Sequence, residues 1–283
     1  MKHHAVSPLF AALLCALWIG DAAAAAAADT SAPPPAPFFV ANWNVENLYD
    51  TEDDPDNDGD NEFLPNNVTT RWTQVRYETK LDNLAQVISG MNDGAGPDVL
   101  GLEEVENEDV LRDLVERLPT KRYGIVHVDS PDPRGIDTAM LFNRDRFSLL
   151  ESHAYKVPLK WGETRDILHA ALEDQDGEEL HVLVNHWPSR GGGIEESEMK
   201  RVVAARTLAK SIARIYRREP AGRIVVLGDF NDTPSDRSIR EVLDAEFYPA
   251  PSGEYDATKI YNLASGKAKA GQGSFYHAFD GKV

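Results

Sequence analysis

Four apolar, β-rich runs in this chain each deliver carboxylates, amides or an imidazole at their C-terminal ends. Phe-Phe-Val-Ala-Asn-Trp, residues 38–43, leads into Asn44 and Glu46, and Asp-Val-Leu-Gly-Leu, residues 98–102, into Glu103 and Glu104. His-Val-Leu-Val, residues 181–184, leads into Asn185 and His186, and Ile-Val-Val-Leu-Gly, residues 224–228, into Asp229, Asn231 and Asp232. Polar groups at the ends of buried strands are costly unless something satisfies them. A hard divalent cation with oxygen ligands would do so. Such a cation, a carboxylate to hold water and an imidazole are the parts that phosphoester hydrolysis needs. Taken singly, each has a plainer reading: Glu103-Glu104 as a helix-dipole partner, His186 as a core histidine, Asn44 or Asp229 as a turn former. Four such ends in one chain make that set of coincidences a poor account.

Between these runs the pattern alternates between strand and helix. Strands are expected over residues 38–45, 99–102, 123–128, 136–142, 166–172, 180–186 and 223–227. Tyr77, Leu81, Leu84 and Ile88 recur at helical spacing, giving a helix over residues 71–91 that Gly94 and Gly96-Pro97 end. Val110, Leu111, Leu114, Val115 and Leu118 mark a second helix, with Asn107 as its cap. Val202, Ala205, Leu208, Ile212 and Ile215 mark a third. No internal repeat is visible, and the alternation implies one α/β or α+β domain.

Hydrophobic residues are 42% of the 283, enough for a buried core, so a wholly disordered or fibrous chain is excluded. With 29 Lys+Arg against 47 Asp+Glu the net charge is −18, which argues against gripping nucleic acid mainly by charge. The single cysteine, Cys15, allows no intramolecular disulfide and no Cys-based metal cluster. It sits in an apolar stretch, residues 5–19, preceded by Lys2 and followed by small residues at 22–28. That is the pattern of an export signal, expected to be cleaved near residue 28. Residues 29–37 read as a Pro/Ala linker and residues 38–283 as the domain. Export places the protein outside the cytoplasm, secreted or periplasmic, with no stable membrane association.

The elements Trp43-Asn44-Val45-Glu46-Asn47, Pro97-Asp98-Val99-Leu100-Gly101-Leu102-Glu103-Glu104, Arg134-Gly135-Ile136-Asp137, Asn185-His186-Trp187-Pro188-Ser189-Arg190 and Gly228-Asp229-Phe230-Asn231-Asp232 resemble, in order, the endonuclease/exonuclease/phosphatase superfamily with the deoxyribonuclease I-like fold. The resemblance implies a four-layer α/β sandwich, two packed mixed sheets flanked by helices, with the site at one edge. It implies that Glu104 binds the metal, with Asn44 beside it and Glu46 completing the shell. Asp229 would orient or deprotonate the attacking water, Asn231 would position water and phosphoryl oxygens, and His186 would donate to the phosphate or leaving oxygen. Arg134 and Arg165 are the implied phosphate contacts. The cofactor would be Mg2+ or Mn2+, the substrate nucleic acid, and the enzyme a monomer. Family members continue to a strand with an aspartate and then a Ser-Asp-His element. Residues 271–276 match only the approach to that strand, and neither His277 nor Asp280 fits the pattern. The resemblance therefore implies a chain incomplete at its C-terminus, lacking its last strands and half of the catalytic pair.

Asp54, Asp56 and Asp58 alternate ahead of Gly59, as in the first half of a calcium loop, but position twelve is Pro65 instead of glutamate. An EF-hand is excluded, while a looser Ca2+ loop is not. The expected activity is thus a secreted, metal-dependent endonuclease acting on extracellular DNA or RNA. The alternatives are a phosphoesterase of the same fold on lipid head groups or sugar phosphates, and a non-catalytic calcium-binding remnant.

Overall fold

The computed structural model describes residues 37–273, apart from Asp56, Thr120, Lys121, Ala221, Pro251 and Ala257. The expected export signal, nearly all of the linker, Asp56 of the acidic loop and the segment from 274 onward lie outside the described residues. In chain order the main elements are β1 (Val40–Leu48), α1 (Gln74–Gly90), β2 (Val99–Val105), α2 (Glu108–Arg117), β3 (Tyr123–His127), β4 (Asp137–Asn143), β5 (Phe147–Tyr155), β6 (Ile167–Asp174), β7 (Glu179–His186), α3 (Ile194–Arg218) and β8 (Arg223–Asp229). A two-residue parallel pair, β9 (Glu246–Phe247) and β10 (Tyr261–Asn262), and the short α4 (Ser265–Lys269) follow.

The period-two alternation of the strands sets the layers. In β2, Leu100 and Leu102 pack toward α1 and α2, against Leu81, Leu84, Ile88, Leu111 and Leu114. Val99 faces the opposite way and joins Val40, Met140 and Phe142 against Leu168, Val182, Val184 and Leu227 of the other sheet. The outer face of that second sheet offers Ile167 and Leu183 to Ala204, Leu208, Ile212 and Ile215 of α3. The order is therefore helices, sheet, sheet, helix, the four-layer sandwich that the resemblance implied. The sheets are β1-β2-β4-β3 and β5-β6-β7-β8. Each is mixed, because β1/β2 and β7/β8 run parallel and the remaining neighbours antiparallel. Among the described residues no helix is long and apolar enough to cross a membrane.

Several boundaries differ from the sequence reading. The first strand starts at Val40 and runs on to Leu48, and the first helix starts at Gln74. The second helix matches closely, and the Val110 amide donates to the Asn107 side chain as a cap should. Strand β5 had no counterpart in the reading. It is an edge strand whose middle is exposed, so Ser148 to His153 carry no alternating apolar signal. Helix α3 begins well before the stripe that marked it, because its first turns, Ile194 to Lys200, are polar.

Of the acidic loop's three alternating carboxylates, Asp54 and Asp58 lie within the described residues and Asp56 outside them. Asp54 and Asp58 are exposed, and the buried member is Asp60, which accepts from the Asp54 amide at 2.7 Å. Gly59 lies so close to the backbone of Arg134 that a Cβ would sit 2.6 Å from it. Asn57 packs against Gly135, and the Tyr49 hydroxyl donates to the Arg134 carbonyl. The loop thus props the segment around Arg134.

Beside its apolar contact with α3, part of the outer face of β5–β7 is polar. His153 and His169 are cross-strand partners, and His181 lies on the next strand. Burial holds His169 and His181 below the usual histidine range, His169 at about 4.

Candidate active site

Parallel pairing brings strand ends to one edge. Asn44 is level with Glu103 across β1/β2, and His186 with Asp229 across β7/β8. Because the two sheets pack face to face, these ends meet. The Asn44 amide donates to Asp229 Oδ2 at 3.2 Å, and His186 Nε2 lies 3.8 Å from Glu104 Oε1. Both contacts bridge the sheets, between residues far apart in the chain.

The local backbone is unusual at this edge. Glu46, Asn47, Glu104 and Asn231 all have φ between 51° and 63°, the left-handed region that side chains avoid. Register shifts in β1/β2 and β2/β4 surround the first three. Irregular, strained backbone of this kind re-aims side chains at functional edges.

Asp229 is held at both oxygens. Oδ1 accepts from the Asn231 amide N–H at 2.9 Å and Oδ2 from Asn44. The Asn231 side chain donates to the Trp187 carbonyl at 3.0 Å, and the Trp187 amide donates to the Asp229 carbonyl at 2.9 Å, closing the β7 and β8 loops on each other. Asn185 is structural: its amide donates to the Leu183 and Leu227 carbonyls and its oxygen accepts from the Trp187 indole. His186 is buried, and burial pushes its imidazole well below the ordinary range, aided by the charges of Arg165 and Arg134. Its Nδ1 has no hydrogen-bond partner.

Arg165, one of the two implied phosphate contacts, has partners of its own in the structure. It is buried, and its guanidinium donates to the His186 carbonyl at 3.2 Å, the Trp187 carbonyl at 3.0 Å and Asp132 Oδ2 at 2.8 Å. Three of its five N–H groups are used in this way, and they brace the His186 backbone. Arg134 is half-exposed, and Asp132 lies 3.5 Å from it. Glu46 is exposed, and its amide N–H donates to Asn44 Oδ1 at 2.9 Å.

Two neighbours of the site carry no role in the sequence reading. Lys80 of α1 donates to the carbonyls of Glu46 and Asn47. Burial pushes its amine down to about 8, while Glu46 and Glu104 pull it back up. Its signal was faint, a lysine beside the apolar stripe of Tyr77, Leu81 and Leu84. The second is Glu103, which is 0% exposed. The Asn42 amide donates to it at 3.1 Å, while Glu103 Oε1 and Asn42 Oδ1 have no partner. Burial, and then the charge of Asp229, push its carboxyl well above the carboxylate range.

This gives a stability test. A carboxyl whose pKa is raised in the folded state binds its proton more tightly there than when unfolded. Wild-type stability therefore falls as pH rises above the unfolded value of about 4.3. Glutamine has no proton to lose. With divalent ions chelated, Glu103→Gln is expected to gain about 1–3 kcal/mol at pH 8 and little at pH 5. Equal denaturation midpoints for variant and wild type at pH 8 would contradict it.

The donor set fits a hard divalent cation. Glu104 and Asp229 supply carboxylates, Asn44 an amide and Glu46 a further carboxylate at the rim. Glu104 Oε1 faces His186 Nε2 at 3.8 Å. Another group with ligand atoms close together is His127, Asp129 and Asp137. There Asp137 accepts from the Ser130 amide at 2.8 Å and faces His127 Nε2 at 3.0 Å, so both its oxygens are occupied in holding the end of β3.

The Endonuclease/Exonuclease/phosphatase family profile matches residues 39–281, and the chain belongs to that family. Two solved structures from Bacteroides thetaiotaomicron share the fold at a TM-score of 0.51. One is a mannosyl-6-phosphatase, 17% identical over 74% of both chains; the other is an endonuclease/exonuclease/phosphatase family protein, 16% identical over 74% of this chain and 70% of that one. The human Nocturnin catalytic domain with bound sulfate aligns at 23% identity and a TM-score of 0.47, covering 58% of this chain. The present chain spans 60% of that domain. No curated protein matches the sequence.

Proposed function

We propose that the chain is an exported, divalent-metal-dependent phosphodiesterase that hydrolyses DNA or RNA. One observation carries the reading: Asn44 meets Asp229, and Glu104 meets His186, across the junction of the two sheets. Glu104, Asn44 and Glu46 are the residues that would hold Mg2+ or Mn2+. Such an ion, when bound, supplies charge for the phosphoryl oxygens and lowers the pKa of water. Asp229, fixed at both oxygens, is placed to accept the proton of an attacking water or to orient it. Asn231 is held by Asp229 and Trp187, so its position is set before substrate arrives. His186 would donate a hydrogen bond to a phosphoryl or leaving oxygen. Half-exposed Arg134 offers a bidentate contact to a flanking phosphate. The basic start, apolar stretch and small residues of positions 1–28 support export.

The test is hydrolysis by the full chain of plasmid DNA, an RNA oligomer and a sugar 6-phosphate, each with Mg2+, with Mn2+ and with a chelator. Cleavage of a nucleic acid that the chelator abolishes is expected. Phosphate release from the sugar ester alone would replace the substrate class. Hydrolysis of none of them with metal present would overturn the enzymatic reading.

A further inference from the structure

Helix α3 carries a run of one charge sign in a chain dominated by the other. Residues 199–218 contain seven Lys or Arg and no Asp or Glu, although the whole chain has 29 Lys+Arg against 47 Asp+Glu. At about 100° per residue, Arg206, Lys210, Arg214 and Arg217 fall within about 80° of one another, on a stripe roughly 17 Å long. All four are exposed, opposite the face that packs Ala204, Leu208, Ile212 and Ile215 on the second sheet. Among the described residues none of the four has an ion pair or a side-chain hydrogen bond, whereas Arg218 lies 3.9 Å from Glu151. Like charges at i,i+4 destabilise a helix, so Arg206, Lys210 and Arg214 in succession weaken this one. The helix dipole accounts for the cations of the last turn, Arg217 and Arg218, but not for Arg206 and Lys210, which lie two turns or more before its end.

We propose that this stripe is a second binding surface for the phosphate backbone of a long nucleic acid, in addition to the candidate active site. It rests on the reading that the substrate is nucleic acid. Because β7 and β8 are parallel, α3 leaves the site edge at Ile194 and runs back to the start of β8. Arg206 comes about 18 Å along that path. A small diester held at the site is too short to touch the stripe, and a long strand is not. Arg206, Arg214 and Arg217 each offer the planar fork that takes phosphate bidentately. The surface is narrow and linear, as a strand is. A helix that lies on an anionic membrane needs a free apolar face beside its basic one, and the apolar face of α3 is spent on the sheet. A net charge of −18 repels a polyanion at long range, and unpaired cations gathered in one place offset that repulsion at contact.

Fluorescence anisotropy of a long labelled oligothymidine, with the full chain in chelator over a range of salt, reads binding without cleavage. Arg206→Gln, Lys210→Gln and Arg214→Gln together should weaken binding by ~10-fold or more at low salt. They should also make the slope of log affinity against log salt shallower by about 2. The same charge removed elsewhere on the surface, by Arg71→Gln, Arg144→Gln and Lys267→Gln, should leave affinity and slope close to wild type. Circular dichroism of the stripe variant, and its hydrolysis of bis(p-nitrophenyl) phosphate with Mg2+, should match wild type, while its KM for long DNA rises. Unchanged affinity and slope in the stripe variant, or an equal loss in the control variant, would overturn the proposal. So would stripe-dependent attachment to phosphatidylserine vesicles by a chain that leaves the oligomer unbound. Stripe-dependent binding of the oligomer by a chain that hydrolyses no nucleic acid would uphold this surface and remove the hydrolase reading instead.

Discussion

Asp229→Asn is expected to lower kcat by ~10²–10⁴ with little change in KM. The substitution keeps the shape of the side chain and one oxygen acceptor. It removes the charge that would take a proton from water, and it turns one of two hydrogen-bond acceptors into a donor. Asp229 Oδ2 now accepts from the Asn44 amide and Oδ1 from the Asn231 backbone. An asparagine must present an NH2 to one of these donors, so the cross-sheet contact or the Asn231 turn is lost along with the charge. Glu104→Gln makes a useful contrast. If Glu104 holds the cation, its loss raises the metal concentration needed for half-maximal activity before it changes the rate at saturation. Circular dichroism of both variants should match wild type. An unchanged kcat in Asp229→Asn would assign Asp229 to the turn alone.

The strand ends were legible because each is a contrast: a run that must be buried, followed by groups that resist burial. Asn44, Glu104, His186 and Asp229 could therefore be placed from sequence, and the structure brings all four to one edge. What local pattern does not carry is which way a polar residue turns. The partners that hold Arg165, Asp132 and the His186 and Trp187 carbonyls, are between 21 and 33 residues away, too far for local pattern to show. Glu103 and Glu104 are adjacent and chemically alike. The register shift between Glu103 and Val105 sends one into the core and leaves the other at the edge. Strand β5 escaped notice for a related reason. An edge strand with one solvated face and a polar opposite face has no apolar alternation to read. The histidines of β5, β6 and β7 are dispersed in sequence, and only cross-strand register puts His153, His169 and His181 together.

Asp232→Ala is expected to cost about 3–5 kcal/mol of folding stability, the range found when one partner of a buried ion pair is removed. Asp232 and Arg201 are 2% and 1% exposed by side chain, and Arg201 Nε donates to Asp232 Oδ1 at 2.6 Å. Arg190 donates to the same oxygen at 3.1 Å and Ser238 to the other at 2.5 Å. Without the carboxylate, Arg201 keeps a full charge in a place water reaches poorly, with only the Ser189 and Ile194 carbonyls and the Ser197 hydroxyl as acceptors. The effect should extend to the candidate active site. Arg190 Nε donates to the Asn231 carbonyl at 2.8 Å, and Arg201 fixes the loop after His186 through Ser189. The same network therefore ties the turn that carries Asp229 and Asn231 to the loop that carries His186. Loss of activity below the melting transition should accompany loss of stability. A second variant separates charge burial from loop positioning. Replacing Arg201 and Asp232 together by Met and Leu removes the stranded charge and should recover most of the stability. It should not recover all of the activity, because Arg190 then holds Asn231 without its Asp232 anchor. A loss under about 1 kcal/mol in Asp232→Ala would show that solvent reaches Arg201 and that the two loops are held by their backbone contacts, Trp187 to Asp229 above all.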